Sequence, residues 1–193
     1  MPDFQKTLNL ICHPATSAPT VGSLSVAVEF QGDDIVFHYC LRGDMARLRI
    51  PPEQVPARAD LLWEHTCFEL FVAREADTAY REFNFSPSGQ WAVFDFDDYR
   101  RRKQDDPPVP APMISTRLTD GRLEMNVVVP QTALYGESGE TPLQIGISAV
   151  IEAADTVDGG HSYWALHHPS SRPDFHHRAG FSLNVSPRGP SVI

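Results

Sequence analysis

Residues 63–98 read WEHTCFELFVAREADTAYREFNFSPSGQWAVFDFDD, and the alternation of apolar and polar side chains along them decides the fold. A strand turns successive side chains to opposite faces, so residues two apart share a face. Taken as a strand, the first segment puts Phe68, Leu70 and Val72 on one side and Trp63, His65, Cys67 and Glu69 on the other. The second segment repeats the split, with Phe83 and Phe85 against Tyr80, Glu82 and Asn84. A hairpin after Ala73 sets Ala73 opposite Tyr80, Phe71 opposite Glu82 and Glu69 opposite Asn84. A turn at Pro87-Ser88 then sets Asn84 opposite Trp91, Glu82 opposite Val93 and Tyr80 opposite Asp95. The reading is three antiparallel strands. One face is apolar and belongs in a core, with Phe94 on it. On the other, Phe71, Ala73 and Val93 lie among indoles, carboxylates, an amide and an imidazole, the make-up of a ligand platform.

The same signals extend in both directions. Residues 23–30 and 34–41 flank Gly32-Asp33, and residues 114–118 and 123–129 flank Asp120-Gly121, both hairpin patterns. Residues 143–153, 163–166 and 181–185 complete the strand set. Residues 51–59 form a proline-interrupted connection, and residues 131–135 form a helical turn behind Pro130. The stretch DDPPVPAP, residues 105–112, is excluded from a central strand because proline offers no backbone donor. No segment carries the period of a long helix. Short strands separated by turns predict an all-β fold, a two-sheet antiparallel β-sandwich of jelly-roll type. The 193 residues make one domain, large enough for a core without disulfides, with residues 1–20 and 187–193 peripheral.

Composition excludes several functions. A formal charge of -9 argues against nucleic-acid binding, which rests on neutralising phosphates. The one basic run, Arg100-Arg101-Arg102-Lys103, is followed by Asp105 and Asp106 and reads as a solvated loop. No stretch approaches the roughly 20 apolar residues of a membrane span, so no membrane partner is expected. The N-terminal MPDFQKTLNLICHPATS lacks the apolar run of a signal peptide, which makes the cytoplasm the expected location. Cys12, Cys40 and Cys67 are spaced like buried thiols rather than a disulfide framework or a zinc site. Neither a metal nor a cofactor is expected. There is no GxSxG, P-loop or GxGxxG motif.

Three groups of residues carry chemistry. Glu69 and Glu82 are diagonal neighbours on adjacent strands, roughly 7–8 Å apart at their bases. That is near the roughly 6.5–9.5 Å separation used in inverting glycoside hydrolysis, although carboxylates on a strand face are also often solvated or paired with arginine. The histidines of YWALHHPSSRPDFHH, residues 163–177, offer one ligand per adjacent pair to a given face. His65, His167 and His176 converge only if the last strands lie beside the platform. The indoles Trp63, Trp91 and Trp164, with Tyr80, supply stacking surface, and Glu69, Glu82, Asn84, His65 and His167 supply hydrogen-bonding groups. A sugar ring needs both. The leading expectation is a non-catalytic domain for a small-molecule ligand, a carbohydrate or sugar-containing metabolite. The alternative is a small glycoside hydrolase or lyase using Glu69 and Glu82 with a histidine. Haem is a third option, but Met45, Met113 and Met125 lie in no evident pocket segment.

The motifs WEHTCFELFVA, YREFNFSPSGQWAVFDFDDYR and YWALHHPSSRPDFHH resemble the small bacterial DOMON-like proteins, related to the DOMON superfamily and to family 9 carbohydrate-binding modules. The resemblance runs from about Val21 to Val185. Trp63 and Glu69 keep the Trp-to-Glu spacing of a strand in the family 9 modules, and LEMNVVVPQTALYG is similar to a further segment, with Glu124 and Pro130 in place. The resemblance implies a β-sandwich that binds a ligand, with sugars and haem as ligand classes in the wider superfamily. It also implies a sugar held between two indoles, Trp63 and Trp164. The domain is expected to stand without an attached enzyme or export signal, and a cytosolic sugar, nucleotide sugar or cell-wall precursor is then the expected ligand.

Overall fold

The computed structural model describes residues 3–105, 107–135, 142–154 and 160–185. The expected peripheral residues 187–193 fall outside them. The strands are β1 (Asp3–Cys12), β2 (Val21–Gln31), β3 (Asp34–Gly43), β4 (Cys67–Arg74), β5 (Tyr80–Phe85), β6 (Trp91–Asp98), β7 (Arg101–Arg102), β8 (Met113–Thr119), β9 (Arg122–Pro130), β10 (Leu143–Glu152), β11 (His161–Ala165) and β12 (Leu183–Val185). The one α-helix among the described residues is α1 (Gln131–Tyr135), a five-residue turn directly behind Pro130 as expected. No helix among them is long and apolar enough to cross a membrane.

Hydrogen bonding links the strands in the order β7-β6-β5-β4-β10-β11-β1-β2-β3-β9-β8, with β12 paired to β10. The pairings are antiparallel, and the all-β sandwich is the fold. One half contains β1, β2, β3, β9 and β8, and the other contains β7, β6, β5, β4, β10, β11 and β12. Their inner faces form one core. Val26, Val28, Ile35, Phe37, Tyr39, Leu41, Met125 and Val127 from the first half meet Phe68, Leu70, Val72, Phe83, Phe85, Val93 and Ile147 from the second. The rings of Tyr39 and Phe68 touch across the layers, with centroids 4.8 Å apart.

Residues 1–20 are not peripheral throughout. Asp3–Cys12 is a strand between β2 and β11, pairing Leu8 with Val26 and Cys12 with Trp164. Leu10 is buried in the core, with Leu8 and Cys12 packed against it, whereas Ile11 is exposed. The polar residues at Thr7 and Asn9 are the outward half of an ordinary strand alternation. The basic run also departs from the expected loop. Arg101 and Arg102 pair with Asp98 and Phe96 after a turn in which Arg100 adopts a left-handed conformation, φ 54°. Residues 107–112 contain no strand, as their prolines require.

The β4–β5 register matches expectation, with Glu69 opposite Asn84 and Phe71 opposite Glu82. The β5–β6 register is shifted by one residue. Tyr80 faces Phe96, Glu82 faces Phe94, and Asn84 faces Ala92. The cause is the turn. Ser86 N–H donates to Gln90 C=O, leaving Pro87, Ser88 and Gly89 as a three-residue loop with Gly89 at φ +91°. A two-residue hairpin turn would need positive φ at its first central position, which proline cannot adopt. The extra residue turns every β6 side chain to the other face. Phe94 therefore lies on the outer face with Phe71, Tyr80 and Phe96, not between the sheets, and Trp91 packs against the inner core.

Candidate functional site

The outer face of the second half-sheet carries its own apolar cluster. Leu62, Cys67, Phe71, Ala73, Tyr80, Ala92, Phe94, Phe96 and Phe181 form it, with Trp63 and Phe175 packed alongside. Because β4 is covered on both faces, Glu69 is only 4% exposed and Glu82 on β5 only 6%. Part of the cover comes from the segment after β11. It returns across the sheet and lays His176 edge-on against Phe71, Tyr80 and Phe96, while Phe181 sits on Phe71 and Tyr80. An open cleft of about 410 Å³ remains beside this segment. Trp63, Phe94, Phe96, Tyr163, Pro173 and Phe175 line it, together with Glu69, Glu82, His176, Arg100, Arg102 and Val150.

The two carboxyl groups have little support. Ser148 Oγ donates to Glu69 Oε2 over 3.4 Å, and Asn84 Nδ2 donates to Glu82 Oε1 over 2.7 Å. Burial, then the neighbouring Glu82 charge, pushes the Glu69 carboxyl well above the usual carboxylate range. Burial likewise raises Glu82, and the Asn84 amide and Arg100 hold it back. His176 is driven the other way, to about 4, by burial and then by the Arg100 charge, so it is neutral at pH 7. Tyr80 Oη accepts from the Arg100 backbone N–H and lies 2.8 Å from His176 Nδ1, where its proton has an acceptor. The other ring nitrogen of His176, Nε2, stands 3.8 Å from Glu82 Oε2. Arg100 is held at the rim by Asp174 at 3.0 Å, and the Arg102 guanidinium lies 3.7 Å from the Phe94 ring centre.

Of the residues expected at the site, Trp63, Glu69 and Glu82 line the cleft. Trp63 does so from a single 3₁₀ turn, Leu62–Glu64, rather than from the strand, and its ring meets Phe94 edge-on at 5.8 Å. Asn84 is fully buried behind Glu82, and its Oδ1 accepts from the Cys67 thiol. Tyr80 is committed to His176 and the Arg100 backbone. The others lie elsewhere. His65 sits in a separate groove, its Nδ1 2.9 Å from Glu152 Oε2, because the chain turns at Leu62–Glu64 before β4 begins. Trp91 is on the opposite face, carried there by the register shift. Trp164 is in the inner core. It pairs with Ala149 and donates Nε1–H to Ser162 Oγ. His167 is exposed and lines no part of the cleft.

The cleft is therefore not formed between two indoles. Tyr163, paired with Val150, takes the outward position next to Trp164. Phe94 and Phe96 reach the cleft because of the three-residue turn, and Arg100 and Arg102 because the basic run turns back to pair with β6. Phe175 lies in a loop with no strand period to assign it a face. Strand parity at Tyr163-Trp164 is the signal that would have found the aromatic wall: one of the two had to face out. Among the described residues, no cluster of three or more His, Cys, Asp or Glu is placed to hold a metal ion.

No family model matches the chain, and no curated protein does. Solved structures with the same fold exist. One is described as a candidate carbohydrate-binding protein from Bacteroides uniformis, 18% identical, with 94% of this chain and 86% of that one aligned at a TM-score of 0.68. Another is a family 9 carbohydrate-binding module from Caldicellulosiruptor kristjanssonii in complex with cellotriose. It is 9% identical, with 98% and 86% coverage and a TM-score of 0.56. The resemblance to family 9 modules drawn from the sequence is thus met at the level of fold.

Proposed function

We propose that the outer-face cleft binds a carbohydrate or sugar-containing metabolite without transforming it. The observation that carries the reading is one cleft in which the aromatic walls of Trp63, Phe94, Phe96, Tyr163 and Phe175 stand next to buried hydrogen-bonding groups, Glu69, Glu82 and His176. A pyranose presents C–H faces to aromatic rings and hydroxyls to fixed donors and acceptors. The volume suits a mono- or disaccharide, within the roughly 300–1,000 Å³ of small-molecule sites. The fold shared with a module solved with cellotriose adds support.

A second reading has one observation in its favour. Two buried carboxyls that titrate above the normal range, with a neutral histidine beside Glu82, are the parts of a general acid–base pair.

The test is tryptophan fluorescence titrated with hexoses, their disaccharides and sugar nucleotides. Trp63 is the indole that lines the cleft, so its quenching should report occupancy and vanish in Trp63→Phe. Affinity for a monosaccharide should fall in the micromolar to millimolar range, about what so few atoms can supply. Silence across the panel would remove the reading. Hydrolysis of an aryl glycoside that is lost in Glu82→Gln would replace it with the enzyme.

A further inference from the structure

The charge distribution in the cleft singles out one kind of sugar. Glu69 and Glu82 are both more than nine-tenths buried, and both line the cleft. Each has one carboxylate oxygen engaged, by Ser148 and by Asn84. Among the described residues, Glu69 Oε1 and Glu82 Oε2 accept no hydrogen bond. No lysine or arginine comes within ion-pair distance of either group among those residues. The near cation Arg100 is bound to Asp174, and His176 is uncharged at pH 7. Removing two carboxylates from water is costly unless a positive charge or a proton compensates them. Here the protein supplies neutral hydrogen bonds, and the two carboxyls hold their protons above the usual range. The open side of both groups is the cleft, where an ammonium can take the place of a proton.

The walls point to the same chemistry. Trp63, Phe94, Phe96, Tyr163 and Phe175 line the same cleft as the two carboxyl groups. An ammonium gains from aromatic faces as well as from carboxylates, while a neutral hydroxyl gains much less from either. The structure already places one cation on this surface, the Arg102 guanidinium over Phe94.

We propose that the cleft selects sugars carrying a free amine, with the ammonium seated against Glu69 and Glu82 and the ring against the aromatic wall. This rests on the carbohydrate reading and narrows it to a substrate class. The arginines at the rim repel a cation weakly, since Arg100 is neutralised by Asp174 and both are exposed to solvent.

The experiment is isothermal titration of the intact protein at pH 7. The probes are D-glucosamine and 6-amino-6-deoxy-D-glucose, against D-glucose and N-acetyl-D-glucosamine, with cyclohexylamine as an amine that is not a sugar. At least one amino sugar should bind about tenfold more tightly than glucose and its acetylated form. That preference should disappear in Glu69→Gln and Glu82→Gln proteins whose thermal transitions show them folded. Equal affinity for glucose and both amino sugars would overturn the amine proposal and leave carbohydrate binding standing. Cyclohexylamine binding with no sugar bound would overturn the carbohydrate reading and keep the ammonium site. No heat from any probe would overturn both. The wild-type comparison decides even where a variant fails to fold.

Discussion

Tyr39 is among the largest fully buried side chains, and its hydroxyl has no protein partner among the described residues. It packs against Phe68 at 4.8 Å and close to Phe37, where a phenylalanine ring would fit equally well. A buried hydroxyl without a partner costs about 1–3 kcal/mol. Tyr39→Phe should therefore raise the thermal midpoint, by about 2–4 °C per kcal/mol recovered in a chain of this size. A lower midpoint would show that the hydroxyl is satisfied after all. The buried carboxyls make a pH prediction. Glu69 and Glu82 titrate above their ordinary value of 4.5 in the folded protein, so the folded state holds the extra proton. Their contribution is complete below the unfolded value and is lost as pH rises through the folded ones. His176 has the opposite sign. Its folded value of about 4 lies below 6.5, so its contribution is lost as pH falls between the two. The slopes oppose each other below pH 6.5, and above it the carboxyls act alone. Urea midpoints should fall from pH 6.5 to about 8, and Glu69→Gln with Glu82→Gln should flatten that fall.

At the scale of the element, β10 is the strand that shapes the platform. It pairs with β4 along one edge and with β12 and then β11 along the other. Gly146 lies in it opposite Phe71, where an added Cβ would stand 2.9 Å from Phe181 Cδ1 and 3.5 Å from Phe71 Cβ. The bare backbone admits the Phe181 ring that anchors the returning segment. Gly146→Ala should cost about 1–3 kcal/mol through overpacking. Phe181→Ala in the same chain should make the pair cost less than the sum of the single changes, the mark of a shared contact. Additive losses in urea denaturation would contradict it. Elements of this kind were readable in the sequence to different depths. Strand positions and the β4–β5 register followed from alternation, because Phe68, Leu70, Phe83 and Phe85 are large and strictly spaced. The β6 face did not, because it depends on whether Gly89 joins the turn, a choice of one residue that reverses a whole strand. The same parity sent Trp164 inward and Tyr163 outward. Both are aromatic, so composition alone had no preference. The covering role of Phe175, His176 and Phe181 is a tertiary contact from a loop, where no period exists to read.

At the scale of the whole molecule, the two layers are one sheet, continuous through β1. Its first residues pair with β2, and Ile11 and Cys12 pair with β11. The junction is reinforced by the His13 ring against the Ser170 carbonyl and by the His168 ring against the Ile11 carbonyl, each spanning 157 positions along the chain. Contacts of such separation are slow to form, because the intervening chain must be ordered before they bring any gain. β1 is synthesised long before β11, so its far end waits through most of translation with an unpaired edge. Until then the β2–β3 hairpin can shield only one side of it. The seam that unites the sandwich thus closes late, and until it does its edge is open to a neighbouring chain.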